Sequence, residues 1–199
     1  MDSPNSYTPL IVGIGGTARN GSSTERALRT CLAEAKALGA RTEIFSGEDM
    51  MLPMYCPGQA HRPESATKLI DLLRRADGFI LASPAYHGSL SGLMKNVLDY
   101  TEDLREDERV YWDGCAIGCI CSAGGWQAAT QTLNALRSII HALRGWPTPL
   151  GAVLNTSLPI FDEKGVITDQ VILHQLRTVA TQVVQFSRAQ AQLKASMQS

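Results

Sequence analysis

The sequence predicts an α/β fold built on a doubly wound, five-stranded parallel sheet in the order 2-1-3-4-5, with helices on both faces. Short runs of strand length and composition occur at residues 10–14, 42–45, 78–82, 115–121 and 151–154. Stretches with apolar residues at helical spacing separate them, and such alternation implies parallel strands joined by right-handed crossovers. Five strands without a sixth favour an order that reverses between strands one and three, so the loops after those strands flank one crevice.

The chain has 199 residues, enough for a core that needs no disulfide staple. A single domain over 1–199 is expected, with 1–9 and 193–199 as flexible tails. Eighteen basic and 19 acidic residues leave a net charge of −1, so charge points to no nucleic acid and no other macromolecular partner. No apolar run approaches the roughly 20 residues of a membrane span, and the N-terminus lacks the basic and apolar regions of a signal peptide. A soluble cytoplasmic protein is expected. The five cysteines are read as reduced thiols. Cys115, Cys119 and Cys121 lack a CxxC pair and alternate as a strand does, which puts them on one sheet face with Ile117 rather than around a metal.

Leu10-Ile11-Val12-Gly13-Ile14 forms the first strand, followed by a glycine-rich loop over 15–21 and a helix over about 22–38. Residues 42–45 form the second strand. Residues 50–58 hold two prolines and are read as a loop packed across the top of the sheet. A helix over 67–76 buries Leu69, Ile70, Leu72 and Leu73 and places Arg74 and Arg75 near its C-terminus. The strand at 78–82 leads into the loop of residues 83–90, and a helix over 91–104 follows. Residues 105–109 are a charged, solvated connection. The strand at 115–121 ends in Ser122-Ala123-Gly124-Gly125 before a helix over 126–143, with Trp126 expected to pack on the sheet. Residues 146–149 break the chain, 151–154 form the fifth strand, and 169–192 form the last helix.

Gly16 to Ser23 has the glycine spacing of GxxxxGK[ST], but Ser22 stands where the lysine belongs. Nothing then reaches the β- and γ-phosphates, so nucleoside triphosphate hydrolysis is excluded. The looser GxGxxG pattern also fits poorly, because Arg19 to Ser22 intervene before the helix cap. A phosphate monoester suits the loop better. Thr17, Ser22, Ser23 and Thr24 offer hydroxyls, Arg19 offers a charge-assisted contact, and the helix start offers free N–H groups. Ser22 and Glu25 also match a capping box in which each satisfies the other's backbone donor; the two readings coexist, because a helix start has four orphan N–H groups.

In Pro84-Ala85-Tyr86-His87-Gly88-Ser89 the backbone amides can donate to the edge of a flat heterocycle, Gly88 permits close approach, and Tyr86 offers an aromatic face or packs on a neighbouring loop. His87 has no partner at motif spacing and is read as a positioning group. Ser122, Ala123, Gly124 and Gly125 either approach a ligand with their backbone or make a plain strand-to-helix turn.

Over roughly residues 10–190 these loops resemble the NADPH-dependent FMN reductase family of flavodoxin-like flavoproteins. The family pattern GSxRxxSxN appears as Gly16-Thr17-Ala18-Arg19-Asn20-Gly21-Ser22-Ser23-Thr24, with threonine in place of the first serine and of the asparagine. The pattern SPxYxGSxSGxLKNxLD is matched from Ser83 to Asp99, with Met94 for leucine and Ala85 where many members carry glutamate. The resemblance implies that Thr17, Arg19, Ser22, Ser23 and Thr24 bind the FMN phosphate, while residues 84–89 and 122–125 bracket the isoalloxazine ring. It also implies electron transfer from NADPH or NADH through FMN to a flavin, quinone or azo compound, no protein nucleophile, and a homodimer or homotetramer. A flavodoxin-like electron carrier and an FMN-dependent dehydrogenase, with residues 50–63 selecting the substrate, are the alternatives.

Overall fold

The computed structural model of the chain describes residues 7–59 and 61–197. The first apolar run becomes β1 (Leu10–Gly15), buried along its whole length. It is followed by α1 (Ser23–Ala37), β2 (Arg41–Ser46), a 3₁₀ turn (Gly47–Met50), α2 (Glu64–Arg75), β3 (Gly78–Tyr86), β4 (Ser89–Leu90) and α3 (Gly92–Asp99). A second 3₁₀ turn (Tyr100–Leu104), β5 (Ala116–Ala123), α4 (Trp126–Ala142), β6 (Trp146–Pro147), β7 (Ala152–Asn155) and α5 (Gln170–Met197) complete the fold.

β2, β1, β3 and β5 pair in parallel in that order, and β5 carries both β6 and β7 on its outer edge. The 2-1-3-4-5 order therefore holds, with the fifth strand split in two. The sheet has seven strands rather than the expected five for two reasons. Residues 148–151 interrupt the edge strand at Pro149, which has no N–H for a ladder. β3 also runs past Ala82 and folds back on the two-residue β4.

Side chains from both layers close the broken edge. Leu150 and Val153 donate their N–H groups to Gln182 and Gln175 of α5 at 3.2 and 3.4 Å. Arg137 of α4 donates to the carbonyls of Thr148 and Pro149 at 3.3 and 2.7 Å. An open row of strand donors and acceptors is thereby withdrawn from pairing with other chains.

The period-two alternation of the strands divides the core between the two sheet faces. Val12, Ile14, Phe79, Leu81 and Ile117 pack with α2, α3 and α4, whereas Ile11, Ile80, Ala82 and Ile120 pack with α1 and α5. Cys115, Cys119 and Cys121 share the Ile117 side, as their spacing predicts. Burial pushes the Cys115 thiol up to about 11 and the Cys119 thiol up to about 12, so both remain protonated packing groups at neutral pH.

Element ends differ from expectation where caps decide them. α2 starts at Glu64, ahead of Thr67, because Pro63 takes the extended cap conformation that the motif-free stretch did not reveal. The helix expected to reach Leu104 ends at Asp99 and tightens into 3₁₀ turns. α5 continues to Met197, so 193–197 are helical, and Tyr7 donates its hydroxyl hydrogen to Asp77 at 2.7 Å. Residues 1–6 and 198–199 of the expected tails lie outside the described residues.

Candidate functional site

The turn out of β1 is held against β3 by backbone. Gly15 and Gly16 have φ of 137° and 98°, conformations that L side chains rarely adopt. A Cβ on Gly15 would overlap the Ala82 carbonyl, which also accepts the Gly16 N–H at 3.0 Å. Beyond it, the Thr17 hydroxyl accepts from the Arg19 N–H and donates to the Arg19 carbonyl, each at 3.1 Å. Ser22 caps α1 by accepting from the Glu25 N–H at 3.3 Å.

The reciprocal half of the capping box is displaced by one residue from expectation: the Glu25 carboxylate accepts from the Gly21 N–H, at 2.7 Å, not from that of Ser22. The loop's left-handed Gly21, with φ of 70°, presents its N–H to the carboxylate instead. Among the described residues, the Ser22, Ser23 and Thr24 amides make no hydrogen bond and face the helix entrance. Burial alone would raise the pKa of Glu25. The Arg29 hydrogen bonds, the Gly21 amide, the Arg29 charge and the Ser46 hydroxyl outweigh it and hold the carboxyl below its ordinary value.

The structure sorts the five phosphate-loop candidates. The hydroxyls of Thr17 and Ser22 are engaged within the loop, and the buried Thr24 hydroxyl lies 2.6 Å from that of Ser122. The Arg19 guanidinium, which is exposed, and the half-buried Ser23 hydroxyl make no intramolecular hydrogen bond among the described residues. The loop therefore offers an incoming anion three amides, one hydroxyl and one guanidinium, while the other hydroxyls fix its shape.

The second stretch is mostly strand, not the open loop expected. β3 continues through Pro84, Ala85 and Tyr86, and its parallel ladder with β5 stops at the Pro84–Ser122 pair, where proline has no N–H to continue it. Ala85 then pairs with Leu90 and Tyr86 with Ser89 across the two-residue turn His87-Gly88. Both turn residues have positive φ, 53° and 80°, as a type I′ hairpin turn requires. His87 is thus a turn residue with an exposed side chain. Ser83 fastens the hairpin base, accepting from the Ser91 N–H at 3.0 Å and donating to the Pro84 carbonyl at 2.9 Å. Tyr86 is 55% exposed, so its ring is not spent on a neighbouring loop.

At the third turn, Ser122 and Ala123 end β5 and Gly125 caps α4 with an extended φ of −159°. A Cβ built on Gly124 or Gly125 meets no protein atom within 4 Å. Packing within the chain does not demand glycine there, and the bare backbone is suited to a flat group lying against it. Trp126, the first residue of α4, is 52% exposed, contrary to the expected packing on the sheet.

The three turns meet at the carboxyl edge of the sheet. Gly15 is in register with Ala82, Pro84 with Ser122, and the Thr24–Ser122 hydroxyl pair bridges the first and third turns. Thr17, Ala18, Arg19, Tyr86, Ser91, Gly92 and Leu93 line a cavity of about 690 Å³ there. Of the expected site residues, Thr17, Arg19 and Tyr86 line it, whereas residues 22–24, 84–85, 87–89 and 122–125 do not. Another cavity, of about 440 Å³, lies at the opposite edge beside Tyr7, Asp77, Arg109 and Lys194. Its Asp77 is paired with Tyr7 and the Leu10 N–H, and its Arg109 with carbonyls at the end of α2, so it lacks the convergent free donors of the carboxyl edge.

Sequence reasoning gave no role to Asn96, although it stands within the quoted motif. Its buried side chain accepts from the Tyr55 N–H at 2.8 Å and donates to the Leu52 and Pro53 carbonyls at 3.2 and 2.9 Å. Tyr100 donates to the same Pro53 carbonyl at 3.0 Å, and Arg62 lies over the Tyr55 and Tyr100 rings while gripping Asp103 with two bonds of 2.7 Å. The loop across the top is therefore a pinned structure. A buried asparagine amide six residues before the acidic pair Glu102-Asp103 carries no sequence signal for this.

A turn with unengaged donors at a helix start, beside two further backbone-lined turns at the switch point of a parallel sheet, is the arrangement of a flavodoxin-like α/β site. Residues 9–157 match the model of the NADPH-dependent FMN reductase family, and the chain belongs to that family. It is accordingly an NAD(P)H-dependent flavin oxidoreductase, as its motifs imply. It is 30% identical over 146 residues to an NADPH azoreductase of Bacillus sp. (strain OY1-2), covering 73% of this chain and 76% of that protein. It is 25% identical over 178 residues to an NAD(P)H-dependent FAD/FMN reductase of Geobacillus thermodenitrificans (strain NG80-2), covering 87% and 91%. The fold matches the flavoenzyme NAD(P)H:(acceptor) oxidoreductase FerB of Paracoccus denitrificans with a TM-score of 0.75 at 18% identity, over 92% of this chain and 99% of that one. Among the described residues, no helix is long and apolar enough to cross a membrane.

Proposed function

We propose that this chain, as one FMN-binding domain, passes electrons from NADPH or NADH through FMN to a small aromatic acceptor such as an azo compound, a quinone or a second flavin. The chemistry that FMN supplies when bound is two-electron exchange between a nicotinamide and such an acceptor. The protein's work is to bind and orient. The Ser22, Ser23 and Thr24 amides, the Ser23 hydroxyl and Arg19 hold the phosphate, with the α1 dipole favouring its charge. Thr17, the Ser22 hydroxyl and the Thr24–Ser122 pair keep those donors in place. Residues 84–89 and 122–125 bracket the ring, and Tyr86 offers an aromatic face to the second ligand.

The observation that carries this reading is the coincidence of unengaged donors at the first turn with bare backbone at the third, linked by one buried hydroxyl pair. The azoreductase relatives support an azo acceptor, and a homodimer or homotetramer accords with the exposed Tyr86 and Trp126 beside the site. Titration with FMN and riboflavin tests the phosphate assignment. Arg19→Ala is expected to weaken FMN about tenfold and leave riboflavin unchanged, as the loss of one charge-assisted contact requires. An equal fall for both flavins would refute it.

A further inference from the structure

The phosphate loop is flanked by a second arginine to which neither the motif nor the family match gives a role. Arg26 lies one turn into α1, and its guanidinium folds back so that Nη2 is 3.8 Å from where a Gly21 Cβ would stand. Its other side rests on Gly165, whose φ of 78° and missing side chain leave the seat that the guanidinium fills. Phe161 presents its ring at 5.8 Å from the guanidinium carbon. Arg26 is exposed, and these two contacts give its guanidinium a seat against residues 161–165.

Its charge is also uncommitted. Glu25, its neighbour in sequence, is spent on Arg29 and the Gly21 amide, and Asp162, beside Phe161, on the Lys164 and Val166 amides of its own turn. Arg62, Arg74, Arg75, Arg109, Arg137 and Arg177 have carboxylate or carbonyl partners, in contrast to Arg19 and Arg26. Among the described residues, Arg26 has neither an ion pair nor a side-chain hydrogen bond. An unpaired cation at the mouth of an anion-binding helix start raises affinity for anions there, and most for the one carrying the greatest charge.

We propose that Arg26 is a specificity-determining residue for the phosphorylated flavin, adding a second guanidinium to that of Arg19 for a dianionic phosphate to meet. This rests on the phosphate assignment made above. The two arginines differ in surroundings: Arg19 borders the cavity with Tyr86, whereas Arg26 sits away from it, against residues 161–165. Arg26 thus selects the phosphate without touching the ring or the second ligand.

The test is fluorescence titration of the full chain with FMN and with riboflavin, for the wild type, Arg26→Gln and Arg26→Lys, at low and moderate salt. The expected result is a roughly five- to tenfold weaker Kd for FMN in Arg26→Gln, a riboflavin Kd within twofold of wild type, and a shallower salt dependence for FMN. Arg26→Lys, which keeps the charge, should recover most of the loss. If the wild type prefers FMN and Arg26→Gln keeps that preference unchanged, or weakens both flavins alike, the role of Arg26 is overturned and the phosphate loop stands. If the wild type shows no preference for FMN over riboflavin, the phosphate assignment itself fails.

Discussion

Replacing Asn96 by alanine should release the loop that the sequence places across the top of the sheet. The side chain makes three hydrogen bonds, at 2.8, 2.9 and 3.2 Å, to the backbone of residues 52, 53 and 55, and it is 3% exposed. At about 1 kcal/mol net per bond the loss is about 3 kcal/mol, trimmed where Pro53 keeps its bond from Tyr100 and where loosened backbone regains water. A destabilisation of about 2–3 kcal/mol is expected from urea unfolding. Hydrogen exchange or limited proteolysis should show faster opening at residues 51–58 than elsewhere, because the Arg62–Asp103 pair holds only the far end of the segment. Asn96→Asp, which retains the acceptor and loses both donors, should fall between alanine and wild type in its protection of Tyr55. A change under about 0.5 kcal/mol with unaltered protection of residues 51–58 would refute the view that this side chain pins the loop.

Other expectations follow from the same geometry. Gly124→Ala should change stability by less than about 0.5 kcal/mol, since the new Cβ meets no protein atom within 4 Å, yet weaken FMN at least tenfold in titration. Equal binding would mean that no ligand lies against that turn. Glu25 has a folded pKa below its unfolded one, so its stabilisation is complete above the ordinary glutamate range and is lost as pH falls through the folded value. Acid unfolding of Glu25→Gln should accordingly depend less on pH than that of the wild type, and identical profiles would contradict the assignment. Asp103→Asn breaks a bidentate pair whose side chains are 12% and 20% exposed, and should cost about 1–3 kcal/mol by thermal or urea unfolding.

The parallel order and the three turns were legible because they rest on local signals: apolar strand runs, helical spacing and glycine-rich joints. What escaped was set by contacts distant in sequence. Pro84 reads as a loop residue, yet β3 carries it as the last residue of its ladder because Ser122 stands beside it and β4 folds back after it. Thr24 reads as a free hydroxyl and Ser122 as part of a backbone turn; 98 residues apart, their hydroxyls face each other at 2.6 Å. The capping box was visible as a pattern, but its partner N–H depended on the left-handed turn at Gly21. Asn96 was in view as a letter of the motif, and only the fold shows that its amide holds residues 52–55.

The central claim is that this chain binds FMN at the carboxyl edge of its sheet and reduces it with a nicotinamide nucleotide. Anaerobic mixing of the FMN-loaded protein with NADPH, and separately with NADH, while following the visible flavin absorption tests it most directly. Rapid bleaching with at least one of the two, reversed by an azo compound or a quinone, is the predicted result. Bound FMN whose absorption stays unchanged with both nucleotides would contradict the account.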